Sequence, residues 1–197
     1  MDSQLQQQLH DLIVETITES FQYIKGLIAN ERLYGFALHL NKDGRSFYCA
    51  ANTLDGVTKK FTVKLRSIED VTDYLWFSSE WDYTDLAFKE YREKLNNFVK
   101  QSNLARPNTN IWHDAYFKVV LQALQTCNSK GLFGIGILRE KMAVFIDSED
   151  SSMFDVAEKS SKLLNPPYVH DAFLRRFEPH DPQGLTYRLI GELIADY

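Results

Sequence analysis

Tyr34-Gly35-Phe36-Ala37-Leu38-His39-Leu40-Asn41-Lys42-Asp43-Gly44-Arg45-Ser46-Phe47-Tyr48-Cys49-Ala50-Ala51-Asn52 is the stretch on which the fold turns. Tyr34, Phe36, Leu38 and Leu40 alternate with Gly35, Ala37 and His39, which is the two-residue period of a strand. Asp43-Gly44 supplies the positive φ of a tight turn, and Phe47 to Asn52 returns as a second strand. A β-hairpin is therefore expected near the start of the chain. It places the protein among antiparallel sheet folds rather than helical bundles.

Outward from the hairpin, helices dominate. Leu5, Leu9, Leu12, Ile13, Ile17, Phe21, Ile24 and Ile28 recur at steps of three and four, the pattern of an amphipathic helix. Ser3 and Gln6 have capping-box spacing at its start. Leu54, Val57, Phe61, Leu65 and Ile68 have helical spacing too. Phe61-Thr62-Val63-Lys64-Leu65 also alternates, so strand competes with helix over 54–68, and helix is chosen. Tyr74 to Phe77 reads as a short third strand. Phe88, Tyr91, Leu95, Phe98 and Val99 share one face of a helix over 85–102. Residues 111–127 form a helix apolar nearly all round, with a polar stripe at Asp114, Lys118, Gln122 and Gln125, as in a helix buried on most sides. Leu132 to Leu138 and Met142 to Ile146 read as two more strands. Ser152 and Asp155 cap a helix to Leu164, Asn165-Pro166-Pro167 ends it, and a helix over 168–177 turns Val169, Phe173 and Phe177 inward. Asp181-Pro182 starts the last helix, which carries Leu185, Leu189, Leu193 and Tyr197. The expectation is a single α+β domain over 1–197, with an antiparallel sheet of about five strands covered by six to seven helices.

Composition narrows function. The 197 residues suffice for a core without metal or disulfide staples. A net charge of −5 argues against binding a nucleic-acid backbone, which needs a basic surface. The start of the chain, Met1 to Gln8, has neither a basic region nor an apolar core of a secretory signal. No run approaches the roughly 18 apolar residues of a membrane span. A cytoplasmic protein is expected, with no membrane and no nucleic acid among its partners. Cys49 and Cys127 fall in strand-like and helix-like runs and read as buried thiols.

Catalytic patterns are sparse. Gly131-Leu132-Phe133-Gly134-Ile135-Gly136 lacks the order and the Lys-Ser/Thr of a phosphate loop, and reads as helix terminator and strand packing. His10, His39, His113, His170 and His180 lack metal-ligand spacing. His113, His170 and His180 each precede an aspartate, but sequence neighbours on a helix point apart. No serine lies in a nucleophile elbow. No catalytic residue, metal or cofactor is assigned, and an enzyme here would need a site assembled from distant residues. Asp147, Glu149, Asp150 and Asp155 cluster after a β-prone run and offer an acidic docking surface, with Glu80 and Asp82 as a second patch. Acidic residues near a helix start are also favourable for the dipole alone. Trp76, Trp81 and Tyr83 form an aromatic group that reads as core ahead of the alternative, a binding contact.

Tyr34-Gly35-Phe36-Ala37-Leu38, Ala50-Ala51-Asn52-Thr53, Ser78-Ser79-Glu80-Trp81-Asp82-Tyr83, Gly131-Leu132-Phe133-Gly134 and the stretch from Ile146 to Leu164-Asn165-Pro166 together resemble the domain-of-unknown-function 4303 family. The resemblance is most specific at Glu80-Trp81-Asp82-Tyr83 and Leu164-Asn165-Pro166, and it makes Trp81, Tyr83, Asn165 and Pro166 structural motif residues. It implies a bacterial cytoplasmic α+β protein without established catalytic residues, similar to immunity proteins that bind a cognate toxin. The reading on sequence is a binding protein of that kind with a protein partner. An enzyme with a dispersed site and a housekeeping interaction module are the alternatives.

Overall fold

A computed structural model describes residues 3–41, 46–63, 67–86, 89–101, 110–148 and 155–195. The Lys42-Asp43-Gly44 turn, the break at Arg106-Pro107-Asn108, Glu149, Asp150, Ser152 and Tyr197 lie outside the described residues. The fold is α+β. The hairpin strands are β1 (Leu33–Leu40) and β2 (Phe47–Thr53), paired antiparallel with Ala37 opposite Ala50 and His39 opposite Tyr48. β3 (Tyr83–Thr84) adds two residues to the outer side of β2. β4 (Ala143–Ser148) pairs with the other side of β1, parallel to it.

The sheet among the described residues therefore has four strands, in the order β3-β2-β1-β4, and is mixed. This corrects the expectation of about five antiparallel strands in two ways. Tyr74 to Trp76 is not a strand but the last turn of a helix, α3 (Ile68–Trp76), whose N-cap Ser67 accepts from the Asp70 N–H. Residues 132–138 are not a strand either. Gly131, Gly134 and Gly136 all adopt positive φ, at 76°, 95° and 55°, and turn the chain out of the sheet. That turning uses the freedom only glycine has. Without this strand, β4 has no hairpin partner and enters the sheet by a long crossover, which makes it parallel to β1.

Both faces of the sheet are buried, which explains the near-continuous apolar character of β1. Phe36, Leu38, Leu40, Phe47, Cys49, Ala51, Val144 and Ile146 face one core. It is closed by α1 (Ser3–Ile28), α4 (Lys89–Gln101) and α5 (Asn110–Ser129). Ala37, Ala50, Ala143 and Phe145 face the other. That side is covered by α2 (Leu54–Val63), α3, α8 (Pro167–Leu174) and α9 (Leu185–Ala195). Nine helices stand among the described residues, against the six or seven expected, because 54–76 breaks into two and a one-turn α6 (Ile137–Glu140) replaces the lost strand. α5 is buried along Tyr116, Val119, Val120, Ala123, Leu124 and Cys127, but Leu121 and Phe117 are half-buried, so it is sided rather than enclosed. α8 ends at Leu174, and Phe177 is 41% exposed instead of inward. α9 starts at Leu185, after a turn in which Asp181 accepts from Arg175 and the Gln183 N–H rather than capping the helix.

α7 (Val156–Leu164) seals the outer edge of β4. Ser160 Oγ accepts from the Ile146 N–H, and Asn165 both accepts from the Val144 N–H and donates to the Val144 carbonyl. An open strand edge invites pairing with other chains. Here one amide side chain imitates the missing strand.

Candidate functional site

The segment from Ser78 to Thr84 crosses the α2/α3 face of the sheet as a strap. A 3-10 turn (Ser78–Glu80) begins it and β3 ends it. At its centre Trp81 is buried against Tyr34 and Phe145, and a Cβ on Gly35 would come within 2.9 Å of its ring. Gly35 is thus the space the indole occupies. At its far end Asp82 accepts from Tyr74 Oη and pairs with Lys60, and Tyr83 Oη donates to Glu31. Glu31 also accepts from Thr53 Oγ1 and Lys59. Burial opposes ionisation of Glu31, yet these three donors outweigh it and hold the carboxyl below its ordinary value. Burial and the bond to Glu31 push the Tyr83 phenol up to about 12. Glu80 is exposed, and its backbone carbonyl accepts from Lys60.

At its near end the strap brings Ser78 onto the carboxyl ends of the parallel strands. His39 of β1 stands opposite Asp147 of β4 in register. Ser78 Oγ lies 2.7 Å from both His39 Nδ1 and Asp147 Oδ2, and the Ser78 N–H donates to the same carboxylate oxygen. The other oxygen accepts from the Ser148 N–H. Burial pushes the Asp147 carboxyl up, but the hydrogen bonds of His39 and Ser78 prevail and hold it below its ordinary value. The Ser78 hydroxyl proton therefore goes to the carboxylate, and Nδ1–H of His39 donates to Ser78 Oγ. In a hydrolase triad histidine stands between serine and carboxylate and takes the serine proton. Here serine stands in the middle, and its proton is committed to Asp147. The ring of His39 is stacked on Tyr48 at 4.7 Å. The cluster ties the strap to β1 and β4.

Around this lock the surface is open. Phe77 and Phe177 are 45% and 41% exposed, with ring centroids 5.7 Å apart. The Arg176 guanidinium lies over Phe177 and pairs with Glu158 at 3.6 Å. Asp155 stands exposed just before α7, at its N-cap position, paired with Lys159 and making no cap bond. Of the acidic residues singled out from sequence, Asp147 lies in β4, Asp155 precedes α7 and Asp82 and Glu80 lie on the strap, while Glu149 and Asp150 are outside the described residues.

Other polar groups are inward. Asp85 is fully buried, accepting from Ser20 Oγ and the Cys49 N–H, and burial holds its carboxyl above the ordinary value. Cys49 and Cys127 are buried free thiols whose acidity burial suppresses. His10 bonds Asp11 and Thr126, and His170 bonds Ser161. Among the described residues no three His, Cys, Asp or Glu side chains are grouped to hold a metal ion. None of the described helices is long and apolar enough to cross a membrane. A cleft of about 620 Å³ opens along α8, lined by Tyr168, Asp171, Arg175 and Glu178 among others, apart from the His39–Ser78–Asp147 cluster.

Residues 13–166 match the family described as Domain of unknown function (DUF4303). The chain belongs to the DUF4303 family. No curated protein and no solved structure matches it. The motif pieces of this DUF4303 chain now have physical roles: Trp81 fills the space above Gly35, Tyr83 ties the strap to Glu31, and Asn165 closes the β4 edge. Pro166 precedes α8, adopts φ −54°, and its carbonyl accepts the first N–H bonds of that helix, from Val169 and His170. Sequence reading missed His39, Ser78, Phe77 and Phe177. One signal for His39 was available: a histidine within a strand apolar on both faces is a buried polar group and must find a partner.

Proposed function

We propose that this protein acts by binding another protein, in the manner of an immunity protein that masks a toxin, and that it docks through the carboxyl end of β4. The observation that carries the reading is the exposed Phe77–Phe177 pair, which Arg176 joins to Glu158 in the first turn of α7. Aromatic side chains at the centre of a charged rim are the usual composition of a binding hot spot. The polar cluster behind it engages both carboxylate oxygens of Asp147 and serves to hold that surface in place.

The partner this surface suits is basic, since Glu149, Asp150, Asp155 and Glu158 all follow Asp147 within one short span. Carboxylates so gathered speed encounter with a cationic rim, and the effect weakens as salt rises. The test is co-expression with a toxin encoded beside this gene. Wild type is expected to protect the cells, and a folded Glu149→Lys, Asp150→Lys, Asp155→Lys variant to lose protection. Equal protection by both removes the acidic face from the interface. Turnover of a small substrate by the purified protein alone makes the enzyme reading the right one.

A further inference from the structure

At the opposite end of β4 the surface changes character. The three glycines that remove residues 132–138 from the sheet bury Phe133, while Ile135, Ile137 and Leu138 emerge 75%, 71% and 67% exposed. These are the most exposed large aliphatic side chains of the described core-forming segments, with Ile194. They stand on a rigid base. Buried Arg139 donates to Asn128 Oδ1, the Met142 and Leu164 carbonyls and Asn165 Oδ1, which pins α6 to the ends of α5 and α7. The lip is exposed and held by these bonds.

Lysines outnumber acids beside it, against the sign of the whole chain, with Glu140 in α6 and Asp11 near Lys130 as the acids. Lys130 and Lys141 flank the lip and are exposed. Leu163, 53% exposed, and exposed Lys162 sit in the last turn of α7, beside the Leu164 carbonyl that Arg139 holds. Tyr168, 43% exposed, and exposed Glu140 complete this part of the surface. Aliphatic tips, a tyrosine and flanking lysines are the composition of a surface that dips into the headgroup region of a bilayer.

We propose that the 135–138 lip docks reversibly on an anionic lipid surface. Charge complementarity selects this occupant: the lysines meet lipid phosphates, and the exposed aliphatic tips enter the boundary of the acyl chains. Lying on a membrane requires no spanning segment, so the lack of a long apolar run in the sequence does not bear on it. The inference does not depend on the protein-binding face at the other end of β4.

The experiment is co-sedimentation of the purified chain with vesicles of phosphatidylglycerol and phosphatidylcholine, against phosphatidylcholine alone. Binding is expected only to the anionic vesicles, and is expected to weaken as salt rises. Ile137→Asp, a change at an exposed position, should lower it about tenfold or more, the worth of one buried aliphatic side chain, with thermal unfolding unchanged. Lys130→Glu with Lys141→Glu should lower it also. No binding to the anionic vesicles at low salt overturns the proposal, as does unchanged binding by Ile137→Asp. Self-association of wild type that Ile137→Asp abolishes, without vesicle binding, assigns the lip to a second copy of the chain instead. Capture of an acidic protein by the lip in the absence of vesicle binding overturns it equally.

Discussion

Asn165→Ala tests how the sheet ends. The Asn165 amide accepts from the Val144 N–H at 2.8 Å and donates to the Val144 carbonyl at 2.8 Å. It also donates to the Ser161 carbonyl at 3.0 Å and accepts from Arg139 Nη2 at 2.9 Å. Arg139 keeps other acceptors after truncation, and Ser161 lies within a helix. The Val144 N–H and carbonyl have no substitute at a buried edge. Leaving a buried polar group unsatisfied costs about 1–3 kcal/mol, so the pair sets a loss of about 2–6 kcal/mol. Urea unfolding followed by circular dichroism reads this as a lower midpoint at unchanged slope. Asn165→Asp is the control. It restores the acceptor but puts a carboxylate against the Val144 carbonyl, so its deficit should narrow as acid protonates it. A loss below about 1 kcal/mol for Asn165→Ala, or an Asn165→Asp deficit independent of pH, refutes the idea that this side chain stands in for a strand.

Gly35→Ala should cost about 1–3 kcal/mol by overpacking against the Trp81 ring, and combining it with Trp81→Phe should cost less than the sum of the two in a double-mutant cycle. Asp147, held below its unfolded value near 3.8, contributes stability that is present above that pH and lost as pH falls through the folded value; the advantage of wild type over Asp147→Asn in unfolding midpoint should shrink in that window and be absent below it. Leu124→Ala, at a site with no exposure, should cost about 2–5 kcal/mol, and Leu121→Ala, half-buried, should cost clearly less in the same unfolding assay.

Much of this was legible because local patterns carried it. β1 and β2 announce themselves by alternation, α1 by its three-and-four spacing, and β4 by a β-branched and aromatic run that begins one residue later and ends two residues later than the expected Met142 to Ile146. The helix reading of 54–68 holds over 54–63 and at Ile68. The failures share a cause. Residues 132–138 are as apolar as a strand, and nothing local reveals that three glycines all take positive φ and turn Ile135 and Ile137 to solvent. Tyr74 to Trp76 are good strand formers, yet their side chains fill the core beneath a helix capped six residues before Asp73. The parallel pairing of β1 with β4 is a contact between residues over a hundred positions apart, and no local signal encodes it. The site shows the same division. Asp147 could be picked out as the polar end of a β-prone run, but its partners His39 and Ser78 arrive by strand register and by the course of the strap. Phe77 and Phe177 look like core residues in sequence, and only the early end of α8 leaves Phe177 outside.

The central claim is that the Phe77–Phe177 face binds a protein partner. Calorimetric titration of the product of a neighbouring toxin gene with the purified chain measures it most directly. Saturable binding by wild type is predicted, weakened about a hundredfold or more in Phe77→Ala, Phe177→Ala, the scale of losing hot-spot aromatics. The same affinity in wild type and in that folded double variant contradicts it.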